Sequence, residues 1–402
     1  MTAAPEHDQV VAVAAGAQVD AGEHGVPFDH YVPVVLTKHA ECDALRDVSW
    51  HTKERMTPMF VVAPVAWSYD ADGPATSISD HVARLPARLA AAWGGRRAFL
   101  DTQFVPEDER MDDGSHVLTW VAEQAGELGV SLVPVTGLRR STSIEAVVAE
   151  VAGWDGRGLC LRLPQHEWPT RTGPVEFRRL LGRLQADPGL VDLVLDLGDL
   201  VGADEEAIAS GVIYELAVLP FPDAWRSITV VGSSIPMLHP VGVRRVHRRE
   251  WHVHRRLVRD QVLPRRPGFG DYGVAHPDPR AEIDLVAQHG MVTVRHTIGA
   301  DVVIARGRLH EAIPGAGVDG RTVPAAALWI RSNPDFLPGH CPFEDAIQQA
   351  AARRHGDDEV TAWRGLAMRH HLDVVVEQLD SSSAPPASGT AAVPRERRRA
   401  PS

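Results

Sequence analysis

The chain has 402 residues, 44% of them apolar and 23% charged, a balance that suits a large buried core and excludes a wholly disordered polypeptide. Its formal net charge of −12 argues against wholesale wrapping of nucleic acid. Three widely spaced cysteines, Cys42, Cys160 and Cys341, lack metal-ligand spacing and an even count, so the sequence speaks for a reducing compartment without disulfide staples.

Residues 1–28 are rich in Ala, Gly and acidic groups and are expected to be disordered. Their apolar stretch, Val10 to Ala17, follows Glu6 and Asp8 where a secretory signal carries Lys or Arg, and no run reaches the ~18 apolar residues of a membrane span. A cytoplasmic protein with no membrane partner is expected. Tyr31 to Leu36 reads as the first strand, followed by a helix around Ala40 to Asp47. Met59 to Val65 is the second strand, and Ile78 to Trp93 a helix that tolerates Pro86 badly and stops at Gly94-Gly95. Ala98 to Thr102 precedes a helix over Ser115 to Leu128, with Ser115 as its N-cap. Strands Ser131 to Val135, Leu159 to Leu163 and Leu193 to Leu197 then alternate with helices Ser143 to Val151, Val175 to Gln185 and Asp204 to Leu219. Ser227 to Gly232 leads into an Arg-rich stretch ending at Gln261, and Phe269 to Val274 is the eighth strand.

The rhythm then breaks. Val292 to Thr297 and Val302 to Ala305 flank Ile298-Gly299-Ala300-Asp301 as a β-hairpin, an insertion at about 290–307 in the last strand-to-helix connection. Helices Phe343 to Arg353 and Val360 to Gln378 follow, the second closing the fold through Leu366, Val374 and Leu379. Residues 381–402 form a second disordered tail. Continuous apolar strands buried on both faces and alternating with helices select a parallel α/β architecture. Eight of them predict one (β/α)8 TIM-like barrel over residues 29–380.

A barrel keeps its active site at the C-terminal ends of its strands. There the sequence places Lys38, Asp101, Arg162, Asp196, Ser233 with Ser234, and Asp271. Asp101, Asp196 and Asp271 are the candidate acids. Lys38 and Arg162, with Ser233, Ser234, Tyr272 and Arg249, are the candidate ligand-binding residues for a phosphorylated or otherwise anionic ligand. The competing account is that these charges pair with one another and brace loop backbone. The Arg-rich stretch, Arg244 to Arg266, reads either as a landing strip for phosphates or as a solvated helix face, and Trp251 anchors it to the barrel. Neither His252 with His254 nor His370 with His371 has the His-x-x-x-His spacing, and no metal ligands are assigned. The chain has no Gly-x-Ser-x-Gly elbow and no Walker-type loop. The cofactor stays unknown.

The chain resembles the bacterial and bacteriophage beta family proteins over roughly residues 31–380. The segments that carry the likeness include Tyr31-Val32-Pro33-Val34, Phe99-Leu100-Asp101, Leu195-Asp196-Leu197-Gly198, Arg249-Glu250-Trp251, Phe269-Gly270-Asp271-Tyr272-Gly273 and His370-His371. The resemblance implies a barrel-like fold and brings no established activity. It also implies a departure: the family's second strand runs into Leu-Ile-Glu, whereas here Met59-Phe60-Val61 puts valine at the expected carboxylate. Two functions remain open. One is a mouth site that binds or acts on an anionic ligand, with metal assistance as an option. The other is a non-catalytic phage-related or host-defence interaction protein with a protein partner, its phage connection drawn from the resemblance.

Overall fold

The computed structural model describes residues 30–282, 291–308, 322–352 and 360–383, apart from positions 69, 264, 335, 337 and 340. Strands β1 (Tyr31–Leu36) and β2 (Met59–Val61) open the fold, and β3 (Trp67–Ser68) with β4 (Gly73–Pro74) forms a small ribbon. Next come β5 (Arg97–Asp101), β6 (Ser131–Thr136), β7 (Leu159–Pro164), β8 (Val191–Asp199) and β9 (Ser227–Ser233). Then follow β10 (Gly242–His247), β11 (Gly268–Asp271), β12 (Met291–Ile298) and β13 (Asp301–Arg308). Strands β1, β2, β5, β6, β7, β8, β9 and β11 pair in parallel in that order and close on β1, an eight-stranded barrel with helices interleaved. Among the described residues no helix is long and apolar enough to cross a membrane.

Alternation along each strand divides the side chains into two cores. Val32, Val34, Met59, Val61, Phe99, Val133, Val135, Cys160, Val194, Val231 and Tyr272 fill the barrel, and Cys160 is a small core residue there. Tyr31, Phe60, Leu100, Leu161, Leu195, Val230 and Phe269 point outward and pack under the helices. Both faces exclude water, which is why the strands read as unbroken apolar runs.

Several expected boundaries move. The second strand stops at Val61. The helix drawn over Ile78 to Trp93 is two helices, Ile78–Val82 and Leu85–Trp93, because Pro86 has no N–H to give and sits in the first turn of the second. His116, not Ser115, caps Val117–Glu127, its Nδ1 accepting the Leu118 N–H at 3.0 Å. The eighth barrel strand ends at Asp271. The closing helix runs Val360–Ser383, three residues into the expected tail, and buries Ala367, His371, Val375 and Leu379 while Leu366 and Val374 are half-buried. The rest of the expected tails, up to residue 29 and from 384, lies outside the described residues.

The hairpin is β12 and β13, placed between β11 and the closing helix as expected. It has a third member. The first part of the Arg-rich stretch is not helical: β10 pairs antiparallel with β13, and the helix begins only at Arg249 (Arg249–Arg259). A further helix, Thr322–Arg331, packs against β12 and β13 together with Pro342–Ala352 in the same layer. Trp251 meets Phe269 edge-on at 5.2 Å between ring centroids, the anchor the sequence suggests.

Candidate functional site: a neutralised barrel mouth and a lateral cleft

Four of the predicted residues, Asp101, Arg162, Asp196 and Tyr272, meet inside the barrel because each has the inward-facing phase. Arg162 Nη1 donates to Asp101 Oδ2 at 2.7 Å and Nε to Asp196 Oδ2 at 2.9 Å. Its Nη2 donates to the Tyr272 hydroxyl at 2.6 Å, and that hydroxyl donates to Asp196 Oδ2 at 2.6 Å. Burial alone would lower the arginine's pKa; Tyr272, Asp196 and Asp101 outweigh it and hold the guanidinium charged. The second oxygens of both acids accept loop N–H groups two residues on, Gln103 at 2.9 Å and Gly198 at 2.9 Å. These acids brace their own loops and one another's counter-charge. The remaining space, lined by Leu36, Val61, Gln103, Tyr272 and His276, is about 20 Å³, room for roughly one water.

Asp271 is placed elsewhere. It has the outward phase of β11, so it faces the closing helix and not the other two acids. Tyr31 donates to its Oδ1 at 2.5 Å, the Gly273 N–H to the same oxygen at 2.8 Å, and His371 Nε2 lies 2.9 Å from Oδ2. Burial works to raise its pKa, and His371, Arg248 and Tyr31 together hold it below the usual carboxylate range. Gly273 has φ +61°, and a Cβ there would meet Met368 of the closing helix at 2.3 Å.

The other candidates are also engaged. Ser233 Oγ donates to the Ala275 carbonyl, and Ser234 Oγ donates to Glu250 Oε2 at 2.6 Å while accepting the Arg249 N–H. Burial, with Asp271 adding, pushes Glu250 up to about 7. Arg249 Nε caps the Ala203 carbonyl at 3.0 Å. Lys38 is half-buried at the rim, and its pKa is lowered by burial and by Arg364. The structure thus joins Asp101, Arg162, Asp196 and Tyr272, and it separates from them Asp271 and the Ser234–Arg249 contact.

Sequence reasoning missed a matching network at the other end of the barrel. Asp192 takes Arg226 Nη2 at 2.7 Å, Ser227 Oγ at 2.5 Å and the Arg97 guanidinium. Asp192 lies four residues before Asp196 on one strand, so it shares the inward face, and that period was the available signal.

The large opening lies outside the barrel wall. A cleft of about 720 Å³ separates helix Arg249–Arg259 from the closing helix Val360–Ser383. The hairpin turn seals one end: Arg248 N donates to Ala300 O at 2.9 Å, and Gln378 Nε2 donates to Gly299 O at 2.7 Å. Arg255 and Arg259, one helical turn apart, line one wall; Val374 and Gln378 line the other; His296, Glu344 and His370 are in the lining too. Arg256, between them, turns away to Asp260 at 3.0 Å.

Fold and site together define a (β/α)8 barrel protein with a self-neutralised mouth and a polar cleft beside its last strand. A family profile described as Beta protein matches residues 31–377, and the chain belongs to that family. No curated protein matches it.

Proposed function

We propose that this beta family protein binds a small anionic ligand, and that it does so in the lateral cleft and not at the barrel mouth. The observation that supports this is the contrast between two sets of arginines. Arg162 has every nitrogen engaged beneath a space that holds about one water. Arg255 and Arg259 face a cavity large enough for a metabolite, and neither makes an ion pair among the described residues. Two guanidiniums on one helix face suit a phosphate or carboxylate, which each can grip through paired N–H groups. Val258, Ile298 and Val374 add apolar surface to a lining that also carries Glu344 and Glu377. The rim acids, held by arginine and by loop N–H groups, are assigned to stability.

Isothermal titration calorimetry with inorganic phosphate, pyrophosphate and citrate tests this. The Arg255→Ala/Arg259→Ala double variant is expected to lose at least about tenfold in affinity, the range for removing charge-assisted hydrogen bonds. Arg256→Ala should match the unaltered chain. No heat with any of the three anions, or equal affinity in the double variant, counts against the reading.

A further inference from the structure

On β12, residues of one phase (Arg295, Thr297) face the barrel side, while Val292, Val294, His296 and Ile298 face the covering helices. His296 is therefore an imidazole in an apolar layer, 2% exposed, and neither of its ring nitrogens has a hydrogen-bond partner among the described residues. It stacks on Phe343 with centroids 5.3 Å apart and on His370 at 4.7 Å. A polar ring enclosed in this way is unfavourable unless something completes its coordination.

Two more ligand-bearing side chains, Glu344 and His370, converge on it from two other elements. Glu344 Oε1 lies 3.7 Å from His296 Nε2, beyond hydrogen-bond reach, and 3.3 Å from His370 Nδ1. Cys341 Sγ lies 3.4 Å from the same Nδ1. Ligand atoms sharing one tetrahedral ion, with bonds of about 2.0–2.3 Å, stand roughly 3.3–3.8 Å apart. The two separations from Glu344 Oε1 match that spacing, whereas Cys341 Sγ does not lie within 4.8 Å of all three other donors. A shorter contact, Cys341 Sγ to Glu344 Oε2 at 2.6 Å, is a thiol donating to a carboxylate.

The orientation of His370 points the same way. Its Nε2 lies 2.8 Å from the Thr297 carbonyl, which can only accept, so Nε2 carries the proton and Nδ1 turns its lone pair toward Glu344 and Cys341. A backbone acceptor behind a ligating imidazole is the usual support of a metal-bound histidine. The adjacent His371 differs. Both its nitrogens are engaged, with Thr297 Oγ1 at 2.8 Å and Asp271 at 2.9 Å.

We propose that His296, Glu344 and His370 bind one divalent transition-metal ion, with zinc the best match. A set of two imidazoles and a carboxylate suits a borderline-soft ion and disfavours magnesium and calcium, which take oxygen ligands. The assignment stands on these three side chains and does not need the ligand reading. Its extension does rest on that reading: His296, Glu344 and His370 line the same cleft as Arg255 and Arg259, so the ion would share it with a bound anion. A second cluster, Glu205 with His247 and His252, is part-exposed, and His247 Nδ1 pairs with Asp301 at 2.8 Å; it serves as the control.

The test strips the full chain with a chelator and titrates it with cobalt(II), with no anion present. One equivalent should give visible bands that one equivalent of zinc bleaches. His296→Phe, which preserves the ring stack, should bind at least tenfold more weakly, and His252→Ala should be unchanged. Absence of the bands overturns the assignment, as does undiminished affinity in His296→Phe. Should His296→Phe not fold, Glu344→Gln, which keeps the side chain's size, decides by the same loss of affinity. Cobalt binding without any calorimetric signal for anions would sink the cleft ligand alone.

Discussion

Arg162→Ala is expected to destabilise the barrel by about 3–5 kcal/mol, the range for removing one partner of a buried ion pair. The arginine is 7% exposed, and its loss leaves Asp101 and Asp196, 1% and 7% exposed, without the charge that offsets their burial. Arg140, at 3.6 Å from Asp101 Oδ1, is too distant and too exposed to replace it. Lysine is not a rescue, because one ammonium cannot reach two carboxylates and the Tyr272 hydroxyl in the fixed fork that guanidinium provides. The revealing comparison is the triple variant Arg162→Met/Asp101→Leu/Asp196→Leu, which removes charge and counter-charge together and should recover most of the loss. Urea midpoints at constant slope measure both. If Arg162→Ala loses under about 1 kcal/mol, the ring is not a stabilising network and the mouth regains its claim to a ligand.

Acid is expected to weaken the fold well above the carboxylate range. Burial pushes His254 down to about 3, with no other contribution, and His239 down to about 3 with Arg295 and Arg306 adding to burial. Both folded values lie below the unfolded value of about 6.5. Between the two, the unfolded chain takes up a proton that the folded chain refuses, so stability present above about 6.5 is lost as pH falls toward 3. At pH 5 each histidine costs about 2 kcal/mol, from ~1.5 pH units at 1.36 kcal/mol each. Glu250 works in the opposite sense, since its folded value of about 7 is raised, and over the same interval it offsets about one histidine. The depressed Asp271 adds a loss only at lower pH, below about 4.

His254→Phe isolates the effect. The ring sits between Trp251 and Phe269, with centroids at 5.8 and 5.1 Å, and its Nδ1 has no partner among the described residues, so phenylalanine suits the site. The unaltered chain should lose about 2 kcal/mol more than the variant between pH 7 and pH 5. Urea unfolding at the two pH values checks this. Equal losses would show that His254 is already charged or hydrated in the fold.

How much of the site was legible depends on which period carried it. Asp101 and Asp196 each follow an apolar run directly and Arg162 lies near the end of another, and those positions predict a shared rim, as the contacts show. The same period separates Asp271 from Tyr272: they are neighbours in sequence, so one faces the helices and the other the barrel. Reading strand ends without that phase put Asp271 with the wrong acids. Asp192 lies outside the strand drawn from Leu193, at the end of the barrel opposite the rim, although it shares the phase of Asp196. The metal-ligand set had no signal of spacing. Its members sit on β12, on the start of helix Pro342–Ala352 and on the closing helix, far apart along the chain.

Sequence by itself determined the eight buried strands, their alternation with helices, the hairpin and the family. The strands, helices and hairpin are written in local periods, since burial on two faces of a strand or one face of a helix constrains residues only a few positions apart, whereas the family is carried by motif residues. The tertiary structure alone decided that the mouth charges neutralise one another. It alone decided that β10 leaves the Arg-rich stretch to join the hairpin, and that the helices flanking the last strand stand apart around a cleft. Those outcomes depend on which distant elements arrive together and in what register, and hydrophobic patterning, which records only whether a side chain is buried, carries no information about its partner.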